Sequence, residues 1–544
     1  MENERLKLPV GIQTFEDLRT EGYVYVDKTQ YLVNLITTGK IYFLARPRRF
    51  GKSLTVSTFD AIFSGKKELF KGLYAEGFMN RPDFKTSPVI RLDMSKPITN
   101  HGIDELENSI AKQVRDVADR LDVALPDSNA PGSLLNDLII RAAGKYSQKA
   151  VILLDEYDKP YTDFVNDPVM ADRIRDTLRN FYVQIKANDE YIRFTFITGI
   201  SKFAKLGVFS TLNTTTDISL MPQYAEICGY TEEEIIRYFP DYLEDTASRM
   251  KITSEALINR MRAYYNGFSF DGEAKARLYN PFSTLLFFVE KEWYSYWMES
   301  GSTKFIEDYM KANRLTVEQF RNMPISRDFA KSPGEIDTAP PHSFLYQSGY
   351  LTLRPGTSDD LSLDYPNTEV LNAMSTLVSK NHLRDKGEDY FKCRSDLLEG
   401  LMNLDCEQVI DVFNRLLASV PYDDYPKNAR RTAPKTSNPK ALKTTENEPD
   451  YSIILLTFLR GCGVVVFPEI HSNLGRSDLV IAHRGVAWVI EIKVARRGDR
   501  AILKAGEAFS QIEDRNYAKL YPKTVRIGLA VDNRSRQITE WKTG

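Results

Sequence analysis

The sequence predicts an α/β protein of several domains, and three observations lead to this fold class. Short apolar segments alternate with helical segments in residues 1–225, a basic polar stretch occupies residues 421–445, and residues 446–544 repeat an α/β alternation on a smaller scale. A chain of 544 residues is too long for one hydrophobic core and implies roughly three to four domains. We therefore expect domains at 1–225, 226–420 and 446–544, with a flexible linker at 421–445.

Composition limits the class of protein. Hydrophobic residues make up 42% and charged residues 27%, which is typical of a soluble globular chain. A net charge of −2 argues against a uniformly basic nucleic-acid coat but allows a local basic face. The four cysteines form no C-x-x-C pair, which suits a reducing compartment. Without a signal-peptide layout or an apolar run of ~18 residues, we expect a cytoplasmic protein with no membrane partner, and the sequence allows a homo-oligomer.

The first domain contains compact apolar segments rich in branched and aromatic residues. The intervals between them are long enough to carry crossover helices, so we expect a mostly parallel sheet. The expected strands are Ile41–Ala45, Val89–Asp93, Val151–Leu154, Arg193–Thr198 and Asp217–Met221.

The segment "RPRRFGKSL" follows the first of these strands and ends like a phosphate-binding loop. Gly51 lets the backbone approach a phosphate, Lys52 supplies charge, and the hydroxyl of Ser53 can bind Mg²⁺. Arg46 occupies the place of the first glycine of the general pattern, so its side chain must point out of the loop. The residues expected to line this nucleotide site are Arg48, Arg49, Phe50, Gly51, Lys52, Ser53 and Leu54. For Arg48 and Arg49, contact with phosphate and exposure to solvent both remain open.

A second strand supports the nucleotide site. In "VILLDE" an apolar strand ends in Asp155, which can orient Mg²⁺, and in Glu156, which can polarise an attacking water. These residues predict binding of ATP with Mg²⁺. The strand "RFTFITGIS" ends near Ser201, and the residues allow either a γ-phosphate contact or ordinary strand-end capping there.

The middle region, residues 226–420, changes to helical patterning with many aromatic residues. Thr231 is a good N-cap for the helix in "TEEEIIRYF". Further on, a helix end and two short strands around a Gly-Thr-Ser-Asp turn fit a winged-helix module, or equally a helical packing subdomain with one hairpin. The aromatic cluster near residues 264–297 indicates packing rather than base stacking. The linker 421–445 is rich in Lys, Arg, Ser, Thr and Pro, which is typical of a solvated tether or a segment lying along a phosphate backbone.

Several segments resemble the AAA-ATPase-like family of bacterial and archaeal proteins. They are "VDKTQYL", "RPRRFGKSL", "LLDEYD", "ITGISKF", "YAEICGYTEEEI", "YNGFSF", "LYNPFS" and "FLYQSGYLTL". The family's own loop reads Arg-Pro-Arg-Arg-Phe-Gly-Lys-Ser, so Arg46 departs only from the general pattern. The resemblance implies a RecA/AAA-like P-loop NTPase domain with Asp27 and Lys28 near the nucleotide, whereas a helix N-cap at Asp27 is an equally good interpretation.

The last domain contains a separate group of polar residues. Its expected order is helix, three strands, helix, strand, with Asp478 on one strand and "EIK" on the next. The strand period of two places Glu491 and Lys493 on one face. Asp478 and Glu491 can then act as oxygen ligands for Mg²⁺ or Mn²⁺, and Lys493 can activate water or stabilise a phosphate. This pattern suits hydrolysis of a phosphodiester.

This order resembles the PD-(D/E)XK nuclease superfamily, a restriction-endonuclease-like fold. The resemblance implies that Glu448 on the first helix and Gln511 on the second complete the catalytic set. Two departures occur: Ser477 replaces the proline of the superfamily name, and Ser452 follows Tyr451 where relatives have histidine. The second departure puts the activity in doubt if that histidine assists catalysis.

The sequence thus predicts an ATP-binding protein coupled to metal-dependent cleavage of nucleic acid, with DNA favoured over RNA. The domain pairing suggests a role in defence or control of mobile elements. The alternative is a nucleotide-dependent switch or scaffold whose nuclease-like domain only binds nucleic acid or protein. A basic group after "EIK" fits either backbone contact or a solvated helix start; it consists of Arg496, Arg497, Arg500 and Lys504.

Overall fold

The structure is a computed structural model that describes residues 5–97, 102–164, 167–200, 215–299, 317–331, 341–356, 360–384, 389–419, 448–472, 475–514 and 523–544. The chain divides into two compact units: Met1–Gly301 with Asn322–Glu369, and Ser302–Arg321 with Val370–Gly544. The expected domain boundaries stay a prediction, and the linker 421–445 lies outside the described residues. Across the described ranges, none of the helices combines the length and apolarity needed to cross a membrane.

A five-stranded parallel sheet forms the centre of the first unit, in the order β2-β3-β4-β1-β5. Its strands are β1 (Ile41–Ala45), β2 (Val89–Asp93), β3 (Ala150–Asp155), β4 (Ile192–Gly199) and β5 (Thr216–Asp217). Because all the strands are parallel, the residues that follow β1, β2 and β3 meet at one edge of the sheet. This arrangement confirms the expected parallel sheet.

Helices cover both faces of this sheet, which explains why β3 is buried along its whole length. They are α1 (Phe15–Thr20), α2 (Thr29–Thr38), α3 (Lys52–Phe63), α4 (Tyr74–Met79), α5 (Ile103–Arg120), α6 (Pro131–Tyr146), α7 (Lys159–Thr162) and α8 (Pro168–Ala187). The apolar faces of α5, α6 and α8 form one core with the sheet.

The fifth strand is shorter than the sequence predicts. We expected Asp217–Met221, but only Thr216–Asp217 pairs with β1. The chain turns at Ser219, where the backbone N–H donates to the Asp217 carboxylate and the hydroxyl accepts from the N–H of Ala45 at 2.8 Å. A side chain therefore replaces the backbone as the partner of β1 at this point.

Helices and a small sheet complete the first unit. The helices are α9 (Glu232–Tyr238), α10 (Pro240–Met250), α11 (Ser254–Tyr265), α12 (Pro281–Glu290), α13 (Tyr296–Glu299), α14 (Arg327–Lys331) and α15 (Pro341–Gln347). Thr231 caps α9 in a capping box with Glu234, as expected. Aromatic residues pack rather than present open faces: Tyr265 is buried and stacks near Trp293 at a centroid distance of 5.9 Å.

The expected hairpin is present as part of a three-stranded antiparallel sheet. Its order is β6-β8-β7, with β6 (Met323–Ile325), β7 (Thr352–Pro355) and β8 (Leu361–Asp364). The extra strand β6 was not expected. The choice between a winged-helix module and a packing subdomain stays a prediction, since turn residues 357–359 lie outside the described part.

The second unit is built on a mixed sheet in the order β13-β12-β11-β10-β9. Its strands are β9 (Val465–Ser472), β10 (Gly475–His483), β11 (Val486–Ala495), β12 (Thr524–Asp532) and β13 (Gln537–Thr543). Helices α19 (Glu448–Gly461) and α20 (Ala501–Asp514) complete the predicted αβββαβ order. The last strand, β13, was not predicted, because only Ile538 among its residues is buried.

Helices that precede the linker share a core with this sheet. They are α16 (Thr368–Arg384), α17 (Tyr390–Asn403) and α18 (Cys406–Ser419). Leu397 and Phe413 belong to the same buried cluster as Trp488 and Leu529 of the sheet. The sheet therefore has an apolar face covered by helices from both sides of residues 421–445.

Candidate functional site

The loop after β1 has the backbone shape that its glycine requires. Gly51 lies in the left-handed region at φ 95°, immediately before α3 begins at Lys52. A side chain is strained in that conformation, so glycine is the residue that fits. The N–H groups of the first turn of a helix have no partner within the helix, and such a turn is a general site for phosphate.

Arg46 points away from the loop, as expected. Its guanidinium is buried and donates to the carbonyl oxygens of Ser219 at 2.8 Å and Tyr224 at 3.1 Å, and it lies 4.3 Å from the ring centroid of Phe270. Burial lowers the pKa of Arg46 to about 10. The arginine thus anchors the loop to the segment around residues 219–225.

Lys52 is held at the centre of the loop. Its Nζ donates to the carbonyl oxygens of Arg46 and Pro47, each at 3.2 Å, and lies 3.2 Å from Oε1 of Glu156. The side chain is buried. A buried ammonium needs such carbonyl and carboxylate partners to offset its loss of hydration.

Asp155 and Glu156 end β3 next to the loop. Burial raises the pKa of the Asp155 carboxyl above its usual range, while hydrogen bonds from Ser53 and Thr198 lower it. The hydroxyl of Thr198 donates to Oδ1 of Asp155 at 2.6 Å. Glu156 has a left-handed backbone at φ 52°, a strained conformation for a residue with a side chain.

A cavity of about 390 Å³ opens over the loop. This volume is in the range of small-molecule sites. Its lining combines loop residues, Glu156 and Lys159 with apolar side chains such as Leu18 and Val26. The loop residues in the lining are Arg48, Arg49, Phe50, Gly51, Lys52, Ser53 and Leu54. Tyr230 and Phe282 line the cavity from the helical part of the unit.

The exposed arginines of the loop both reach this cavity. Arg48 and Arg49 are exposed and line it, and the guanidinium of Arg49 lies 4.7 Å from the ring centroid of Phe282. Both arginines are therefore exposed at the cavity, and their contact with phosphate stays a prediction.

Two further polar residues of the cavity were not assigned a firm role from the sequence. Asp93 ends β2 directly beside Asp155, and an acid at the end of "VIRLD" was the signal that could have found it. Lys28 lines the cavity and pairs with Glu234 at 2.6 Å. Asp27 accepts from the N–H of Thr29 at 2.9 Å, but α2 begins at Thr29 with Lys28 as its N-cap, so Asp27 lies one residue before the cap. Ser201 lies outside the described residues.

The donor set fits ATP with Mg²⁺. The hydroxyl of Ser53 and the carboxylate of Asp155 are hydrogen-bonded neighbours, and both are hard oxygen ligands of the kind Mg²⁺ prefers. Lys52 adds a buried ammonium group to the same loop.

The second site lies on β10 and β11 of the other unit. The backbone N–H of Ile492 donates to Oδ2 of Asp478 at 2.8 Å, and the N–H of Asp478 donates to Oε2 of Glu491 at 3.3 Å. Nζ of Lys493 lies 3.5 Å from Oε1 of Glu491, so these two side chains share a face as the strand period predicts. The amide of Gln511 on α20 donates to the same oxygen of Glu491.

Glu491 is the most deeply buried member, with 1% of its surface exposed. Burial and the neighbouring Asp478 raise the pKa of Glu491 to about 7, and Lys493 opposes the shift. Two close carboxylates in a buried place repel each other unless a cation neutralises them. The pair therefore suits a divalent cation with oxygen ligands, such as Mg²⁺ or Mn²⁺.

The remaining predicted members are placed unevenly. Glu448 is the first residue of α19, and its side chain is outside the described part, as is that of Ser477. Among described residues, no group of three or more His, Cys, Asp or Glu side chains meets in a metal-like cluster. Lys504 pairs with Glu507 at 2.8 Å, and the loop residues Arg496, Arg497 and Arg500 are exposed.

Comparison with known proteins identifies two domains in the chain. Residues 9–209 match the family model described as a predicted AAA-ATPase, and residues 446–541 match the model of the PD-(D/E)XK nuclease superfamily. The chain belongs to this family of predicted AAA-ATPases with a C-terminal PD-(D/E)XK domain. It is similar to the "Uncharacterized protein in vnfD 5'region" of Azotobacter chroococcum mcd 1, with 32% identity over 523 residues, 95% of this chain and 94% of that protein. The resemblance found in the motifs is thereby confirmed.

Proposed function

We propose that this protein is a nucleotide-regulated, metal-dependent nuclease, with DNA favoured as its substrate. The observation that carries the proposal is the meeting of Asp478, Glu491, Lys493 and Gln511 on β10, β11 and α20. A buried glutamate with an aspartate and a lysine beside it has little structural purpose, because burying a carboxylate next to a like charge destabilises a fold. The same set is well suited to phosphodiester hydrolysis.

In the nuclease site each residue has a distinct task. Asp478 and Glu491 would hold Mg²⁺ or Mn²⁺, which supplies Lewis acidity and an activated water when bound. Lys493 Nζ, on the same face, would orient the attacking water or stabilise charge on the phosphate oxygens. Gln511 orients Glu491 through its amide. Glu448 is proposed only from the resemblance.

In the nucleotide site Lys52 would bind the β- and γ-phosphates of ATP, and Ser53 and Asp155 would hold Mg²⁺. Glu156 would position the attacking water. The Lys52–Glu156 pair supports a regulated cycle, because phosphates that take over the lysine release the glutamate. Ser201 stays a candidate γ-phosphate contact.

A second function rests on a specific departure. Ser452 stands where relatives of the nuclease domain carry histidine. If that residue is essential, the domain would bind nucleic acid or a protein partner without cutting, and the chain would act as a nucleotide-dependent switch or scaffold.

Cleavage assays separate the two functions. Purified protein is incubated with plasmid, linear DNA and RNA in Mg²⁺ or Mn²⁺, with and without ATP. We expect cleavage by the wild type, and at least a hundredfold loss in Asp478→Ala and Lys493→Ala. The matched control is Lys523→Ala, an exposed lysine at the start of β12. If wild type and Asp478→Ala both leave every substrate intact, the nuclease function is ruled out.

A further inference from the structure

The sheet face that carries the nuclease residues continues onto the edge strand β9. Phe467 of β9 pairs with Val480 of β10, and Val480 is two residues from Asp478. Because side chains alternate along a strand, Phe467, Val480 and Asp478 lie on one face. Val466, the residue before Phe467, packs instead against the core on the opposite face. An aromatic ring thus stands on the same face as the carboxylates.

This part of the face is left open. The neighbouring Val480 and Val489 are buried in a small cluster with Ile512 of α20. Phe467, however, is 43% exposed, and Val465, two residues before it on the same face, is 55% exposed. The helix therefore covers the sheet over β10 and β11 and leaves Phe467 and Val465 of β9 exposed.

The ring is also at a useful distance. Cross-strand neighbours that are offset by two residues lie about 7–8 Å apart, so Phe467 is that far from Asp478. Moving along β11 away from the level of Phe467, Glu491 comes first and Lys493 comes next. Each of these steps of two residues spans roughly 7 Å. The exposed loop arginines Arg496, Arg497 and Arg500 follow at the end of the strand.

We propose that Phe467 stacks on an unpaired base beside the scissile phosphate, so that the substrate is single-stranded nucleic acid at the cut. This inference rests on the proposed nuclease function and names its substrate class. A ring can stack on a base only where the face of that base is uncovered, as in a single strand.

Charge on the face supports this occupant. Lys493 lies on the far side of the carboxylates from Phe467, and the arginine loop continues in that direction. A strand with its base on Phe467 would then place its following phosphates beside cations, which is the combination of stacking platform and positive groove that single-strand binders use.

Binding measurements in a non-cutting background test the proposal. Full-length Lys493→Ala protein is titrated in Mg²⁺ with a labelled single strand and with the duplex of the same sequence, followed by fluorescence anisotropy. Adding Phe467→Leu should weaken single-strand binding about tenfold and leave duplex binding unchanged. Adding Phe467→Tyr should retain the affinity, since a ring remains. Phe391→Ala, which removes an exposed phenyl ring from α17, should change neither affinity.

Other outcomes would overturn the proposal in distinguishable ways. The stacking role is ruled out if Phe467→Leu weakens binding of the single strand and of the duplex equally, or if it changes neither affinity. This holds whether or not the wild type cuts. A change in sedimentation coefficient with Phe467→Leu instead would assign the ring to contact between copies of the chain. Phe467-dependent binding of the single strand without cleavage by the wild type would keep the stacking contact but remove the proposed nuclease function, and with it the cut beside the stacked base.

Discussion

At the residue scale, Glu369 is a buried acid, and the described residues place no cation beside it. The side chain has no exposed surface, and it accepts from the hydroxyl of Ser283 at 2.8 Å and the N–H of Trp297 at 2.9 Å. Burial raises the pKa of Glu369 to about 8, although these hydrogen bonds oppose the shift. The folded protein therefore keeps this carboxyl protonated at pH 7, whereas the unfolded chain ionises it.

This difference predicts a pH-dependent stability. Between its ordinary pKa near 4.5 and about 8 the folded state holds a proton that the unfolded state has lost, so the free energy of unfolding falls as pH rises through this window. The slope from one such group is at most about 1.4 kcal/mol per pH unit. In Glu369→Gln the thermal midpoint should fall less steeply than in the wild type between pH 6 and 8.

The control for this prediction is Glu255→Gln, an exposed acid on α11. It should follow the wild type across the same pH range. Parallel curves for Glu369→Gln and the wild type would show that the carboxyl is ionised in the fold.

Some residues of the site could be predicted and others could not. The glycine, lysine and serine of the loop follow a spacing that chemistry dictates, and the outward turn of Arg46 follows from the missing glycine. Its carbonyl partners at Ser219 and Tyr224 lie more than 170 residues away in the chain. No local pattern encodes such a contact, and the same holds for the Lys28–Glu234 pair.

At the element scale, the predicted strands succeeded where both faces are buried. The bounds of β1 and β2 were predicted to the residue, because continuous branched and aromatic runs mark buried parallel strands. The predicted range of β5 was too long, because a serine hydroxyl replaces the backbone as the hydrogen-bond partner of β1. β13 was missed because an edge strand with one buried residue lacks an apolar pattern.

The packing of α20 on β12 depends on Gly528. A Cβ at this position would approach the backbone N of Phe509 and lie 2.6 Å from the carbonyl oxygen of Ala505. Helix backbone cannot yield as a flexible side chain does, so Gly528→Ala should destabilise the second unit by roughly 1–3 kcal/mol. Urea unfolding followed by circular dichroism measures the change.

The matched substitution is Gly506→Ala on the same helix. Its Cβ would meet no atom within 4 Å, so the gain in helix propensity should stabilise by roughly 0.5–1 kcal/mol. If both variants shift the midpoint in the same direction, close approach of α20 to β12 is not what Gly528 provides. Because α20 carries Gln511, the destabilised variant should also lose nuclease activity.

At the scale of the whole molecule, the chain combines a predicted AAA-ATPase domain with a PD-(D/E)XK nuclease superfamily domain. The sequence predicted both sites from separate motifs. It did not predict that α17 and α18 share the core of the C-terminal sheet, since their amphipathic patterns do not specify a partner. This sharing joins residues before and after 421–445 in one unit.

The most direct test of the account is DNA cleavage with and without ATP by wild type and Lys52→Ala, with Lys85→Ala as an exposed-lysine control. ATP binding is measured on the same preparations. The account predicts that Lys52→Ala loses ATP binding and no longer changes its cleavage rate when ATP is added, while wild type and Lys85→Ala respond at least severalfold. Cleavage that responds to ATP equally in all three proteins would contradict a nucleotide-regulated nuclease.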